Sequence, residues 1–193
     1  MLETSGLRDA MATALDMSRA LPSDAGLKGY GVAELRDAST NEIKLYMPFA
    51  NLITTAGDEY YAKQAGRTQP TNGGGGTLCT GMRLGTSNTA AAKSSTGSAL
   101  VADVGTGSYQ AWNTGYPLQA AVAGSDTGWY ISYQCVWAAG TVTNGALYEV
   151  VIVNSNTLYA SANTYSRAVF GSSINKTGSD SLTVTWNHKF LGA

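Results

Sequence analysis

The sequence predicts a mainly β chain, folded as an antiparallel β-sandwich of which a jelly roll is one form, with an N-terminal helical arm and one short helix near residues 54–65. Three observations carry this. Short runs of alternating apolar and polar residues recur along the chain with turn residues between them. Gly, Ser, Thr, Asn and Ala fill the intervals, and 11 Tyr and 4 Trp accompany them. Charged residues make up only 13%, about half the globular average, which suits strands joined by uncharged loops. A length of 193 residues is enough for one buried core. The chain divides into an arm and joint at 1–28 and a sandwich domain at 29–193.

The most regular stretch, Thr127 to Asn154, reads as a central hairpin. Trp129, Ile131, Tyr133, Cys135 and Trp137 share one face of its first strand, the period of two that a pleated strand imposes. The second strand, 146–153, is apolar on both faces apart from Glu149, as a strand covered on each side would be. Asn144-Gly145 supplies the turn, with small polar residues from Ala138 lengthening the connection.

Taken in order, residues 5–20 form an amphipathic helix with Leu7, Met11 and Leu15 in one line. Pro22 and the glycines of LPSDAGLKG break it at a flexible joint, so these three residues are the candidate contacts of a docking arm. Strands at 30–36 and 42–49 flank a polar turn, and Pro48, which donates no ladder hydrogen bond, places that hairpin near a sheet edge. Thr54 or Thr55 caps the short helix, with Asp58 and Glu59 in its first turn and Gly66 at its end. Tyr60 or Tyr61 faces the sheet. RTQPTNGGGGT at 67–77 is a surface loop. Its four glycines lack the Lys-Ser or Lys-Thr of a phosphate cradle. Further strands fall at 79–84, 101–104, 118–122, 166–170 and 181–190, with the last turn at 171–180. Tyr109, Trp112 and Tyr116 are candidate exposed aromatic contacts, although rings in Gly-rich loops commonly pin the loop to its own core.

Composition excludes several classes of partner. A formal net charge of −1 sets up no field to attract nucleic acid or an anionic membrane. No apolar run approaches the length of a membrane-spanning helix. Glu3 and Asp9 stand where a signal peptide carries basic and apolar residues, so export by that route is not expected.

Chemistry-bearing residues are sparse. His188 is the only histidine, and it alternates in register with Trp186 and Phe190 near a strand end, where a hydrogen-bonded structural histidine belongs. Cys79 and Cys135 are too few for a disulfide scaffold and read as free thiols, and with His188 they make no recognisable zinc spacing. Of the acids that could form a glycosidase pair (Glu34, Glu42, Asp58, Glu59, Asp103, Asp126, Glu149), most fall in turns or on exposed faces. Glu149 alone sits among apolar residues, without an identifiable partner. No catalytic residue, metal site or cofactor is expected, and the chain is not read as an enzyme.

Several motifs follow one another in a telling order: Asn51-Leu52-Ile53-Thr54-Thr55-Ala56-Gly57, then Leu84-Gly85-Thr86 ahead of a small-residue loop, then Lys176 to Trp186, KTGSDSLTVTW. From residue 29 to 190 the chain resembles a loose group of small β-rich virion proteins of tailed bacteriophages. It departs where that group carries Glu-x-Gly-Leu-Phe, having Asn144-Gly145-Ala146-Leu147-Tyr148 instead. The resemblance implies a structural role as a capsid decoration or cement protein made in the host bacterial cytoplasm. Its partners would be the major capsid protein or other virion proteins, and it would act as a homo-oligomer. A tail fibre or baseplate component is the alternative within the virion. A carbohydrate-binding sandwich module using Tyr109, Trp112 and Tyr116 is the alternative outside it.

Overall fold

A computed structural model describes residues 27–66, 78–121 and 128–191. The proposed arm with Leu7, Met11 and Leu15, and the loop 67–77, lie outside the described residues. The strands are β1 (Leu27–Asp37), β2 (Ile43–Ile53), β3 (Gly81–Gly85), β4 (Tyr109–Ala111), β5 (Leu118–Ala121), β6 (Gly128–Trp137), β7 (Asn144–Val153), β8 (Thr164–Lys176) and β9 (Asp180–Leu191). One α-helix, α1 (Thr55–Ala65), follows β2. Strand accounts for 53% of the structure, so the mainly β expectation holds.

Alternation explains the core. On β9, Leu182, Val184, Trp186 and His188 are buried while Thr183, Thr185 and Asn187 are only half-buried, and on β6 the buried apolar set is Tyr133, Cys135 and Trp137, with Ser132 covered on the other face. The same alternation leaves Trp129, at the start of β6, 61% exposed, because it lies beyond the end of the packed interior. Helix α1 forms where Thr54 caps it: the Thr54 hydroxyl accepts from the Gly57 amide, Asp58 sits in the first turn, and the Gly66 amide donates back to the Ala62 and Gln64 carbonyls. Tyr60 on its inner side is buried and stacks on Tyr165 of β8 at 4.6 Å.

Two stacked sheets are not what these strands make. Hydrogen bonds join all nine into one antiparallel sheet, in the order β4-β3-β7-β8-β2-β1-β9-β6-β5. The sheet curls into a half-barrel because β2 pairs with β1 over nearly its whole length and with β8 only through Leu52 and Ile53, opposite Arg167 and Ser166. The curl faces the two halves of the sheet toward one core. There Phe49 of β2 lies edge-on to Phe170 of β8 at 5.5 Å and to Trp186 of β9 at 5.3 Å.

The expected central hairpin does not form. β6 pairs with β5 and β9, β7 with β3 and β8, and the two lie in opposite halves of the sheet. Residues 138–143 carry the chain across. The positive φ values fall at Gly140 (+78°) and Val142 (+50°), while Asn144 is already paired with Lys176 as the first residue of β7. Three smaller expectations also change. Residues 101–104 contribute one isolated bridge, Gly85 to Asp103, flanked by two backbone bonds to the end of β3, because the Val101 and Ala102 amides are taken by the Glu149 carboxylate. β8 runs on to Lys176, so the last turn is confined to 177–179. β2 is an interior strand, though its Pro48 falls in the part that lacks β8 as a second neighbour.

The sheet's two edges, β4 and β5, are consecutive in sequence. The linker 112–117 therefore crosses from one edge to the other, and the Asn113 amide donates to the Gln134 carbonyl (2.8 Å) just beyond the last β5 pairing on β6. At the opposite end of the strands the two hairpin tips are tied. The Ala38 amide donates to the Ser179 carbonyl, and the Lys44 ammonium bridges Asp37 (2.9 Å) and Asp180 (2.6 Å). That contact and the Thr177 hydroxyl hold the Asp180 carboxyl at a pKa of about 2.

Close packing of its two neighbouring strands needs a residue without a side chain on β1. A Cβ on Gly31 would meet the Phe49 ring at 2.3 Å and the Thr185 carbonyl oxygen at 2.7 Å, whereas one on Gly171 of β8 meets nothing within 4 Å. Gly31→Ala is expected to lower stability by about 1–3 kcal/mol, as overpacking does. Gly171→Ala is expected to leave it unchanged or raise it by a few tenths, up to about 1 kcal/mol. Urea unfolding midpoints of the two variants check the contrast.

Candidate functional site

Polar side chains converge at two places. The first is inside the curl, where β2 meets β8. His188 of β9 is fully buried, and its Nδ1 hydrogen-bonds the Tyr61 hydroxyl of α1. Its Nε2 lies 3.3 Å from Asn51 Nδ2 of β2, and that amide nitrogen also donates to Ser166 Oγ of β8. Ser166 Oγ in turn donates to the Leu52 carbonyl (3.1 Å), and Tyr61 and Tyr133 share a hydroxyl contact at 3.0 Å. Cys79 Sγ closes the group, 3.7 Å from Tyr60 Oη.

Burial sets the chemistry of this cluster. With no charge beside it, the His188 imidazole is pushed down to a pKa of about 3, while burial pushes the phenols of Tyr60, Tyr61 and Tyr133 and the thiol of Cys79 above their ordinary values. Every member is therefore neutral at neutral pH. Thiols in this state are poor nucleophiles, and an imidazole of that pKa is a weak base. Cys135, buried deeper and with its thiol pushed up to about 12, contacts the Gln110 and Ala111 carbonyls at 3.3 Å each, and both cysteines are free.

The second convergence lies on the other side of β7 and β8. Glu149 and Arg167, both with fully buried side chains, pair through Arg167 Nε and Nη2, each 2.9 Å from Glu149 Oε2. The carboxylate also accepts from the backbone amides of Ala102 (2.8 Å), Val101 (3.1 Å) and Ser87 (3.3 Å). Arg167 Nη1 reaches the Gly97 carbonyl at 3.3 Å. One ion pair thus anchors the long connection between β3 and β4 at four points. Beside it, Arg83 lies 3.5 Å from Asp103, with its guanidinium 4.7 Å over the Tyr159 ring. Glu149 was legible in the sequence as an acid out of place. Its partner Arg167, a cation in the apolar strand run SRAVF, carried the matching signal.

The remaining acids do not form a reacting pair. Glu34, Asp58, Glu59 and Asp103 each sit against a cation, respectively Arg36, Lys93, Lys63 and Arg83, and Asp126 lies outside the described residues. Among the described residues, no group of three or more His, Cys, Asp or Glu is placed to hold a metal ion. A shallow depression of about 240 Å³ beside the start of α1, lined by Thr55, Glu59, Lys93, Ser95, Ser98 and Ser161 among others, is smaller than a usual ligand pocket.

The aromatic triad is not an exposed platform. Tyr109 is half-buried against the Leu100, Val151 and Val153 cluster, with its hydroxyl on the Thr80 carbonyl (2.9 Å). Trp112 packs 5.0 Å from Tyr133 and donates to the Cys79 carbonyl (3.1 Å), and Tyr116 is half-buried with its hydroxyl accepting from Gln134. Tyr109 and Trp112 pin the β3–β5 segment to its own core, while Tyr116 is tied to the Gln134 side chain of β6. Among the described residues the exposed aromatic side chain is Trp129.

Arg167→Met is expected to destabilise the fold by about 3–5 kcal/mol, because it strands a buried carboxylate. Adding Glu149→Gln removes that charge while keeping an acceptor for the Ala102 amide, and should recover part of the loss. Adding Glu149→Leu instead orphans three backbone amides and should not. Urea unfolding of the single and double variants distinguishes these outcomes. No protein-family model matches the chain, and no curated protein or solved structure matches it.

Proposed function

We propose that this chain is a structural protein of a tailed-phage virion, most simply a decoration or cement protein bound to the outer capsid surface. The observation that carries the reading is the order of three motifs, Asn51–Gly57, Leu84–Thr86 and Lys176–Trp186, in which the chain resembles that group of virion proteins. Each motif falls on a part of the fold that fixes its shape. The first spans the end of β2 and the cap of α1, the second ends β3, and the third turns β8 into β9. The scaffold, two halves of a curled sheet facing across one core in a sandwich-like way, is tied by buried polar bonds and closed by uncharged loops. That construction suits a protein that acts by presenting a fixed surface in many symmetric copies.

In this reading residues 1–28 are the docking arm, the partner is the major capsid protein or a neighbouring virion protein, the chain is a homo-oligomer, and it catalyses nothing. The sugar-binding alternative is less favoured, since Tyr109 and Trp112 pack against their own core.

Quantitative mass spectrometry of purified particles separated into heads and tails tests the proposal. Hundreds of copies travelling with heads are expected. A few tens of copies travelling with tails would move the protein to a fibre or baseplate, and its absence from particles would overturn the reading. Deleting residues 1–26, the part of the arm that precedes β1, is expected to abolish capsid binding, and undiminished binding by the shortened chain would remove the arm from the account.

A further inference from the structure

The place where the curled sheet is thinnest coincides with its one buried histidine. Between β8 and β2 the ladder has only two residue pairs, Leu52 with Arg167 and Ile53 with Ser166. It is extended by the Thr54 amide on the Tyr165 carbonyl (3.1 Å) and the Thr54 hydroxyl on the Thr164 carbonyl (2.6 Å). Two further bonds hold this joint from the core side. Asn51 Nδ2 donates to Ser166 Oγ, and Ser166 Oγ donates to the Leu52 carbonyl. His188 sits behind them as the acceptor that orients the Asn51 amide.

We propose that this joint is an acid-sensitive hinge, in which protonation of His188 releases β2 from β8 and opens the curl locally, before the rest of the sheet unfolds. The mechanism follows from the donor and acceptor count. With Asn51 Nδ2 donating, Nε2 of the neutral ring accepts, and Nδ1–H donates to the Tyr61 hydroxyl. A proton taken from solvent onto Nε2 places two donors face to face. Asn51 Oδ1 is buried without a partner in the neutral state, so turning the amide over offers the new N–H an acceptor. That turn removes Nδ2 from Ser166. The Ser166 hydroxyl then faces the amide oxygen, so its hydrogen leaves the Leu52 carbonyl, and the joint loses a bond across its shortest ladder.

Nothing nearby offsets the new charge. The groups that face the ring are Tyr61, with Tyr60 beyond it, from α1, Tyr133 from β6, Asn51 from β2, Ser166 from β8 and Trp186 from β9. Cys79 enters from the segment before β3, and Gly29 lies opposite on β1. None is a carboxylate and none is a cation. Lys189 follows along β9 but alternates to the other face. Beyond the one hydrogen bond that the turned Asn51 amide oxygen can accept, the imidazolium's charge can therefore be stabilised only by water, and water reaches it only if the joint opens.

Linkage gives the size and sign. The histidine's pKa is about 3 when closed and near 6.5 once solvated, so acid favours the open form throughout that window. Protection of the amides at 52–54 and 165–167 against hydrogen exchange should fall about tenfold per pH unit below pH 6.5, while the central β6–β9 amides near Tyr133 and Val184 stay protected. In His188→Gln the joint should show no such pH trend. The hinge is overturned if the joint and the β6–β9 amides lose protection together in the wild type, which is global unfolding, or if the joint trend persists in His188→Gln. Should His188→Gln fail to fold, the wild-type comparison of the two regions still decides between local and global opening.

Discussion

The fold rests on how little backbone joins its two halves. β4, β3, β7 and β8 form one half, and β2, β1, β9, β6 and β5 the other, and between them the ladder narrows to two residue pairs. A sheet this narrow at one point bends there, and the bend lets Phe49, Phe170 and Trp186 meet edge to face across the interior. Side-chain bonds reinforce the narrow place: Asn51 and Ser166 from within, and the cap residue Thr54, which serves α1 and β8 together. Because that reinforcement is polar and buried, its partners have to be present in full. Removing one would leave another unsatisfied in a medium that offers no replacement.

The outer side of the β7–β8 half solves a different problem. Connections between strands are ordinarily the loosest parts of a β protein, and the segment from β3 to β4 is long and made mostly of small and polar residues. Glu149 compensates by collecting three amides from that segment on a carboxylate whose charge Arg167 balances. Leu100 and Tyr159 then cover Val151 and Val153, so that face of the strands is packed as well. This is why β7 reads as apolar on both sides.

What the sequence made legible were features whose cause is local. Thr54 followed by an acidic first turn announces a helix start, and α1 begins there. The alternation of Leu182, Val184, Trp186 and His188 places a buried face on β9, and the buried ones are those residues. Partner choice was not legible. The pattern in Trp129 to Trp137 and the apolar run from Ala146 say that both strands are buried, and they are equally well satisfied whether the strands pair with each other or face each other across a core. Proximity in sequence favoured the hairpin, while six connecting residues were enough to cross to the other half. The aromatic residues 109, 112 and 116 failed for a related reason, since composition supplies rings but not the direction they point. His188 was placed on the right face, but the set that surrounds it comes from segments far apart in the chain, and no spacing brings Asn51, Tyr61, Tyr133 and Ser166 together.

The strand order also dictates when this protein can become itself. β1 lies between β2 and β9, so one of its neighbours is the next strand in the chain and the other is the last. As the chain leaves the ribosome, β1 and β2 can pair within moments, yet Gly29, Gly31 and Ala33 remain without the strand that brings Trp186 and Val184 to the interior until β9, far along the chain, has emerged as well. Until then the inner face of that hairpin is uncovered apolar surface with an unpaired edge. The cell that makes this chain has to keep that surface apart from its neighbours through the whole interval between the two strands, and the dozen residues of β9 are what end the exposure.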